Sequence, residues 1–470
     1  MNELIKLMNE KLTENGDKAY KTTGNNMVDL LFLTPYFETH LEEATIGDSE
    51  KEKLLSMYIR DPRHGLGRRD LGRRLMYQAK VEPQWIVKCG RYDDLWHIPT
   101  QDNINYFYTD LVWEDGHLAK KWAPRLTGKD KRIAKALCKM WGIDEKTYRQ
   151  LIKTDSTTEY KLSYAEKIDG TPLNDLFKEG TYSHPLVDKI DFEKVPSLAM
   201  TKYLHTFSTR EDLKDRYAEY INAVKENKAK INVSTANVHD SYKTAMGGDD
   251  DYMSQEEIAR EVVAKKIEDN ATLGVEMDAI VILDTSGSMY SFSWSGPDFT
   301  NMNDIGVKAM SVAHAISTHS TYAPNQLISF SSNPRLMTIH GETVKAQYKS
   351  MYTGDCSNTD FGKVMKILQG LKKYPEYIIV LSDMEFDQGS YQSKAQTMKL
   401  FKENGANTKI VWWNFNDRNK TSMEMDEWGN YYLSGYNLQM LKLLENKFDM
   451  SEYIEKILKD YSKKIGFKYE

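Results

Sequence analysis

The sequence predicts an α plus α/β protein, with an all-helical, repeat-like N-terminal domain followed by a doubly wound, mostly parallel sheet. Three observations carry that prediction. Segments with apolar residues at helical spacing, separated by Pro and Gly, fill the first half; beyond about residue 272, short apolar runs alternate with helical stretches. The chain, at 470 residues, is also too long for one ordinary core. Residues 1–260 are assigned to the helical domain and 272–470 to the sheet domain, with the boundary between Ala245 and Leu273.

The helical elements follow in order. Met27–Leu33 opens an apolar helix, and Glu50–Ile59 sets Leu54, Leu55, Tyr58 and Ile59 at helical spacing before Pro62, Gly65 and Gly67 break the pattern. A helix over Arg68–Ala79 carries Leu71, Leu75 and Met76 on one face. Further helices are expected near Asn103–Trp113, Lys129–Trp141, Lys146–Lys153 and Arg210–Lys225, without a strict repeat period. The acidic loop Gly247–Asp251 marks a domain edge. Ser254, with Glu257 three residues on, forms a capping box for a helix to Asp269.

The second half alternates. Ala279–Leu283 reads as a strand buried on both faces, and Asp304–Thr318 as a helix. Gln326–Ser331 and Arg335–Ile339 are short strands that can pair. Helix Thr359–Lys372, strand Tyr377–Leu381, helix Ser390–Glu403 and strand Lys409–Phe415 follow, with an edge strand at Tyr431–Leu433. Asn437–Glu445 and Ser451–Lys464 close the chain as helices.

Composition is that of a soluble globular protein, 40% hydrophobic and 28% charged. No apolar run approaches the roughly 20 residues of a membrane span, and the N-terminus lacks a basic segment leading into an apolar one, so a cytoplasmic protein without membrane contact is expected. Cys89, Cys138 and Cys356 are odd in number and far apart, which fits reduced thiols. Net charge is −6, unevenly spread: residues 60–139 hold 17 Lys and Arg against 10 Asp and Glu, leaving thirteen net negative charges for the rest. That asymmetry points to an anionic partner for the N-terminal half.

Chemistry concentrates where the first strand stops. Asp284, Ser286 and Ser288 stand at i, i+2 and i+4, with Gly287 allowing a tight turn. A carboxylate with hydroxyls is hard-oxygen chemistry, suited to Mg²⁺ or Mn²⁺ rather than zinc. In a doubly wound sheet, ligands bind at the carboxyl ends of strands, near the point where strand order reverses. Asp383 ends the strand Tyr377–Leu381 in the same way, with Glu385 and Asp387 nearby as alternatives, and Thr359 precedes a helix. Each of these taken alone also suits a helix cap. The sequence offers no Walker loop, no His-Glu-x-x-His and no Cys-x-x-Cys, and the single Asp-Thr-Ser-Gly lacks the second copy an aspartic protease needs.

Over residues 272–470 this constellation resembles the metal-ion-dependent adhesion site of von Willebrand factor A domains, whose first motif is matched by Asp284-Thr285-Ser286-Gly287-Ser288-Met289. The resemblance implies that Ser286, Ser288 and Thr359 touch Mg²⁺ through hydroxyls, Asp284 and Asp383 directly or through water, and that an acidic residue of a partner completes the shell. The Ser-Asn before Thr359 departs from the glycine often found there. Upstream, Arg60-Asp61-Pro62-Arg63-His64-Gly65-Leu66-Gly67-Arg68-Arg69 resembles a segment of Ro-autoantigen-like (TROVE-like) proteins, which place an RNA-binding helical module before such a domain. Gly90–Leu95, Lys121–Arg125 and Val195–Ser197 resemble, more closely, an uncharacterised family of plants, fungi and viruses with the same plan.

RNA binding needs cations for phosphates and flat side chains for stacking. Arg63, Arg68, Arg69, Arg73, Arg74, Lys120, Lys121, Arg125, Lys129, Lys131 and Arg132 supply the first; His64 is a flat side chain in a loop, and Tyr92, Trp96 and Trp122 suit either stacking or a core. Arg91-Tyr92-Asp93-Asp94 equally suits an internal ion pair between helices. The expected function is a non-catalytic RNA-binding protein whose A domain docks a protein through a divalent ion. The alternative is an interaction or structural component of a viral or cellular assembly without a nucleic-acid role. A metal-dependent phosphohydrolase ranks last, because no His or Lys accompanies the ligands as acid or base.

Overall fold

The computed structural model describes residues 10–12, 18–20, 25–32, 34–113, 117–153, 167–168, 171–172, 190–195, 197–233, 236–247, 254–272, 276–293, 296–297, 299, 301, 304–352, 361–383, 390–404, 406–415, 424–425, 430–434 and 450–469. The elements that matter here begin with helices α1 (Glu50–Arg60), α2 (Arg69–Gln78), α3 (Pro83–Cys89), α4 (Gln101–Val112), α5 (Lys131–Trp141) and α6 (Glu145–Leu151). Helices α7 (Val238–Met246) and α8 (Gln255–Thr272) lead to strand β1 (Ala279–Asp284), helix α9 (Ile305–Thr318), β2 (Gln326–Phe330) and β3 (Arg335–Thr338). Then come α10 (Val344–Ser350), α11 (Phe361–Gln369), β4 (Tyr377–Ser382), α12 (Ser390–Glu403), β5 (Lys409–Asn414), β6 (Glu424–Met425), β7 (Tyr431–Ser434) and α13 (Met450–Ile465). The fold class is the expected one, helices followed by a mostly parallel sheet. The expected helix Asn437–Glu445 lies outside the described residues.

The chain divides into two compact units that interleave in sequence: Phe37–Ser163 with Met450–Glu470, and Met1–Tyr36 with Tyr164–Asp449. The division at 260–272 expected from the sequence is not the one seen: residues 1–36 and 164–260 fall in the unit that holds the sheet, and residues 450–470 fall in the other. Helix α13, expected to close the sheet domain, packs instead with α1. Its buried stripe is Tyr453, Ile454, Leu458, Tyr461 and Ile465. Tyr461 meets Tyr58 edge-on at 5.3 Å and donates its hydroxyl to Asp61 Oδ2 at 3.0 Å. Burying that stripe gives the helix its place, because an amphipathic helix gains most of its stability from the face it covers.

Helices α7 and α8 are among the segments that share a unit with the sheet. Buried Glu268 on α8 accepts from Ser241 Oγ of α7 at 2.8 Å and Tyr348 Oη of α10 at 2.6 Å, and lies 3.1 Å from His314 Nδ1 of α9. Three elements are thus tied to one carboxylate. Burial opposes charging of His314, but the Glu268 carboxylate outweighs it and raises the imidazole above its ordinary value; Glu268 is lowered despite its own burial. Glu261 accepts the Val344 amide at 2.7 Å, and Glu257 faces Lys345 at 3.5 Å.

The sheet runs β6-β7-β5-β4-β1-β2-β3, with its five central strands parallel and β3 and β6 antiparallel at the edges. Strand β1 is buried along all six residues, as the unbroken apolar run requires of a central strand covered on both faces. Ile280, Ile282, Ile328, Ile378, Val380, Ile410 and Trp412 fill one side, with Val364, Leu368 and Phe401 from α11 and α12. The chain leaves β1 for β2 on one side and reaches β4 on the other, so strand order reverses between β1 and β4.

Candidate functional site

At that reversal Leu283 pairs with Leu381, which brings Asp284 beside Ser382 and sets Asp383 at the adjacent strand end. Asp284 is fully buried. Its Oδ2 accepts from Ser382 Oγ at 2.5 Å and its Oδ1 from the Ser286 amide at 2.9 Å. Ser286 and Ser288 stand with hydroxyls 3.1 Å apart; Ser286 is buried and Ser288 exposed. Thr285 points elsewhere, its amide and hydroxyl both donating to the Phe330 carbonyl, at 2.9 and 3.1 Å, and so locking the loop to β2. Asp383 is 5% exposed. Thr359, and the alternatives Glu385 and Asp387, lie outside the described residues.

The electrostatics follow from this packing. Burial, and next the charge of Asp383, push the Asp284 carboxyl up from its ordinary 3.8 to about 7, opposed by the hydrogen bonds from Ser382 and Ser286. Two carboxylates and serine hydroxyls at parallel strand ends are donors of the kind that suits a hard divalent cation, whose charge would offset both the burial of Asp284 and its repulsion by Asp383. Among the described residues no group of three or more His, Cys, Asp or Glu stands where it could hold a metal ion. The sequence reading does not single out Ser382, the hydroxyl that supports Asp284; its signal is its position directly before Asp383 on an apolar run.

Aromatic side chains brace the loops on either side. Tyr242 of α7 donates to the Phe299 carbonyl at 2.8 Å and meets Tyr352 Oη at 2.5 Å, while Phe299 stacks on Tyr352 at 4.1 Å and Tyr290 meets Phe299 edge-on. Tyr290 follows the Ser286–Met289 turn, and Tyr352 precedes the segment that contains Thr359.

In the helical unit the expected cations separate into two groups. Arg73 binds Asp94 Oδ1 through Nε at 2.5 Å and Asp93 Oδ2 through Nη2 at 3.2 Å; buried Arg60 meets Asp94 Oδ2 at 2.8 Å. Arg74 donates to the Ala44 and Glu42 carbonyls, Arg68 pairs with Glu38 at 3.3 Å, and Arg63 donates to the Lys88 carbonyl at 2.6 Å. The Arg60–Arg69 string is an architectural turn. Asp61 Oδ1 accepts the Arg63 and His64 amides, and a Cβ on Gly65 would lie 1.9 Å from the Tyr58 carbonyl oxygen. Gly72 lets α2 cross Arg60, whose Cβ an added methyl would meet at 2.6 Å.

The second group stays at the surface: His64, Arg69, Arg125, Lys129, Lys131 and Arg132 are exposed, and Lys120 half-buried. The side chain of Lys121 lies outside the described set. Tyr92 and Trp96 are core residues, 5% and 6% exposed; Tyr92 is bonded to Asp110, and Trp96 Nε1 donates to the Trp122 carbonyl. The Trp122 ring lies under the Arg91 guanidinium at 4.1 Å.

Residues 278–466 match a domain of unknown function (DUF7788), and residues 113–274 match another (DUF2828). The chain is similar to an uncharacterized protein, L728, of Acanthamoeba polyphaga mimivirus, 23% identical over 522 residues that cover 97% of this chain and 88% of that protein. Among solved structures it is similar to the RO (RSR) protein of Deinococcus radiodurans, at 11% identity and a TM-score of 0.40 over 97% of this chain and 96% of that one. A smaller likeness, at 14% identity and a TM-score of 0.25, covers 38% of this chain and 48% of the proximal thread matrix protein 1 of the mussel byssus. The two domain matches meet between residues 274 and 278, immediately before β1.

Proposed function

We propose that this chain is a non-catalytic binding protein in which the sheet unit docks an acidic group of a protein partner through Mg²⁺ or Mn²⁺, while the helical unit holds RNA. The observation that carries the reading is the buried Asp284 beside Ser382 and Asp383 at the strand reversal. Asp284, Asp383, Ser286 and Ser288 would hold the ion, with Thr359 as a further hydroxyl. The ion would supply a positive docking point for a carboxylate. The residues around it serve other ends: Asp284 takes its hydrogen bonds from Ser382 and Ser286, and Thr285 fixes the loop to β2. Neighbours Thr285, Gly287, Met289 and Ser382 bring no imidazole or amine for acid–base work. Titrating Mg²⁺ into the whole protein tests the reading. Saturable binding is expected in the native chain and its loss in Asp284→Ala at unchanged circular dichroism; equal affinity in both would overturn it.

A second reading is favoured by the internal commitment of Arg68, Arg73 and Arg74, which leaves fewer cations for phosphates. In it the chain is an interaction or structural component of an assembly without a nucleic-acid role. Co-purification with a protein, unchanged by nuclease, would support it.

A further inference from the structure

Within the helical unit, residues 125–153 hold nine Lys and Arg against three acids, and all nine cationic residues are exposed. This is the reverse of the arrangement around Asp94, where arginines are drawn inward onto carboxylates. The buried side of α5 is Ala134, Leu137 and Cys138, so its outer side carries Lys131, Arg132 and Lys139 beside the exposed Met140. Lys131, Lys135 and Lys139 recur every four residues, about 6 Å apart along the helix axis, a spacing that suits successive phosphates of an extended strand. Opposite-charge contacts are few: Lys135 meets Glu145 at 3.2 Å, and Arg149 the same carboxylate at 3.6 Å. Exposed pairs of this kind contribute little to stability.

Between the loop that precedes α5 and the end of α6, Arg125, Arg149 and Lys153, with Leu126, Thr127 and Ile152, line an open cleft of about 360 Å³. Arg125 is oriented there by one bond from Nη1 to the Ile152 carbonyl, at 3.3 Å. Three cations around a concavity concentrate positive potential where an anion can enter. The aromatic surface nearby separates a nucleic acid from an acidic peptide or a lipid. Tyr108 of α4 packs on Trp141 of α5 at 5.0 Å, and Trp113, at the end of α4, is 76% exposed. A bare indole five residues beyond Tyr108, at the end of the helix that packs on Trp141, is a stacking platform for an unpaired base.

We propose that Arg125, Arg149 and Lys153, together with Lys131, Arg132 and Lys139 of α5, form the phosphate-contacting surface for single-stranded RNA, with Trp113 as a stacking residue. The inference rests on the RNA half of the reading above and moves its centre from the Arg60–Arg74 segment to α5 and α6. Anisotropy of a short fluorescent oligouridylate, measured with the whole protein across a salt series, tests it. For the Arg125→Gln/Arg149→Gln/Lys153→Gln variant the slope of log affinity against log salt should fall by about 2, three contacts at roughly 0.7 each. Because Arg125 also bonds the Ile152 carbonyl, a Lys131→Gln/Arg132→Gln/Lys139→Gln variant, whose side chains are all exposed, provides the same readout should the first fail to fold. Trp113→Ala should weaken binding severalfold with the slope unchanged. No binding by the native protein would overturn the RNA reading and this inference with it. Native binding with unchanged slopes in the folded variants would overturn the inference alone, as would displacement of the oligonucleotide by polyglutamate at equal charge concentration.

Discussion

Asp94 and Asp284 are both fully buried carboxylates, and their surroundings are opposite. Asp94 accepts from Arg73 and the Arg91 amide and faces the buried Arg60, so its charge is matched by two guanidinium groups. Asp284 has a hydroxyl, an amide and a second carboxylate for neighbours, and its proton is held up to about pH 7. A buried charge that its own chain neutralises is architecture. One beside a second carboxylate, with only a hydroxyl and an amide to support it, costs stability when charged, and a cation or a proton would offset that cost.

The largest expected effect breaks the compensated side. Asp94→Ala leaves Arg60 buried without its counter-ion and should cost about 3–5 kcal/mol, read as a fall in the urea midpoint. On the uncompensated side the sign reverses. Asp284 has a folded value raised from 3.8 to about 7, so without metal its contribution to stability is lost as pH rises through that window. Mg²⁺ should therefore stabilise the protein most above pH 7, by about 2.7 kcal/mol at a hundredfold excess over Kd. Asp284→Asn should abolish both the pH-dependent loss in EDTA and the Mg²⁺ gain, whereas a pH profile identical to that of the native protein would erase the contrast with Asp94.

His314 sharpens the comparison, since it is a buried pair inside the sheet unit. Its raised value makes the Glu268 contact fully stabilising below 6.5 and weaker as pH rises through the folded value. His314→Gln should flatten that alkaline decline in thermal melts without changing Mg²⁺ binding. The smallest effect is expected at the surface, where Arg69→Ala should change stability by less than about 0.5 kcal/mol and leave Mg²⁺ affinity intact.

Much of this was legible in the residues. The unbroken run Ala279–Leu283 specified a central parallel strand, and its position before Asp284 specified which end would carry chemistry. Nothing in the string Arg60–Arg74 distinguishes an arginine that faces solvent from one that grips a carboxylate twenty residues away. That depends on how α1 and α2 cross, which Gly72 permits. For the same reason the sequence leaves Tyr92 and Trp96 open between stacking and core, and the packing makes them core, whereas Trp113 reads as the end of a helix and is bare.

The sequence by itself determined the fold class, the strand order's consequence for Asp284, and the hard-oxygen character of that strand end, because these depend on local periodicity and on donor types that do not change on folding. Tertiary structure alone decided that α13 completes the helical unit, that α7 and α8 are bound to the sheet through Glu268, and which cations face outward. Those are outcomes of long-range burial, in which each apolar stripe and each charge takes whatever partner the packed chain offers it, and no short stretch of sequence records that partner.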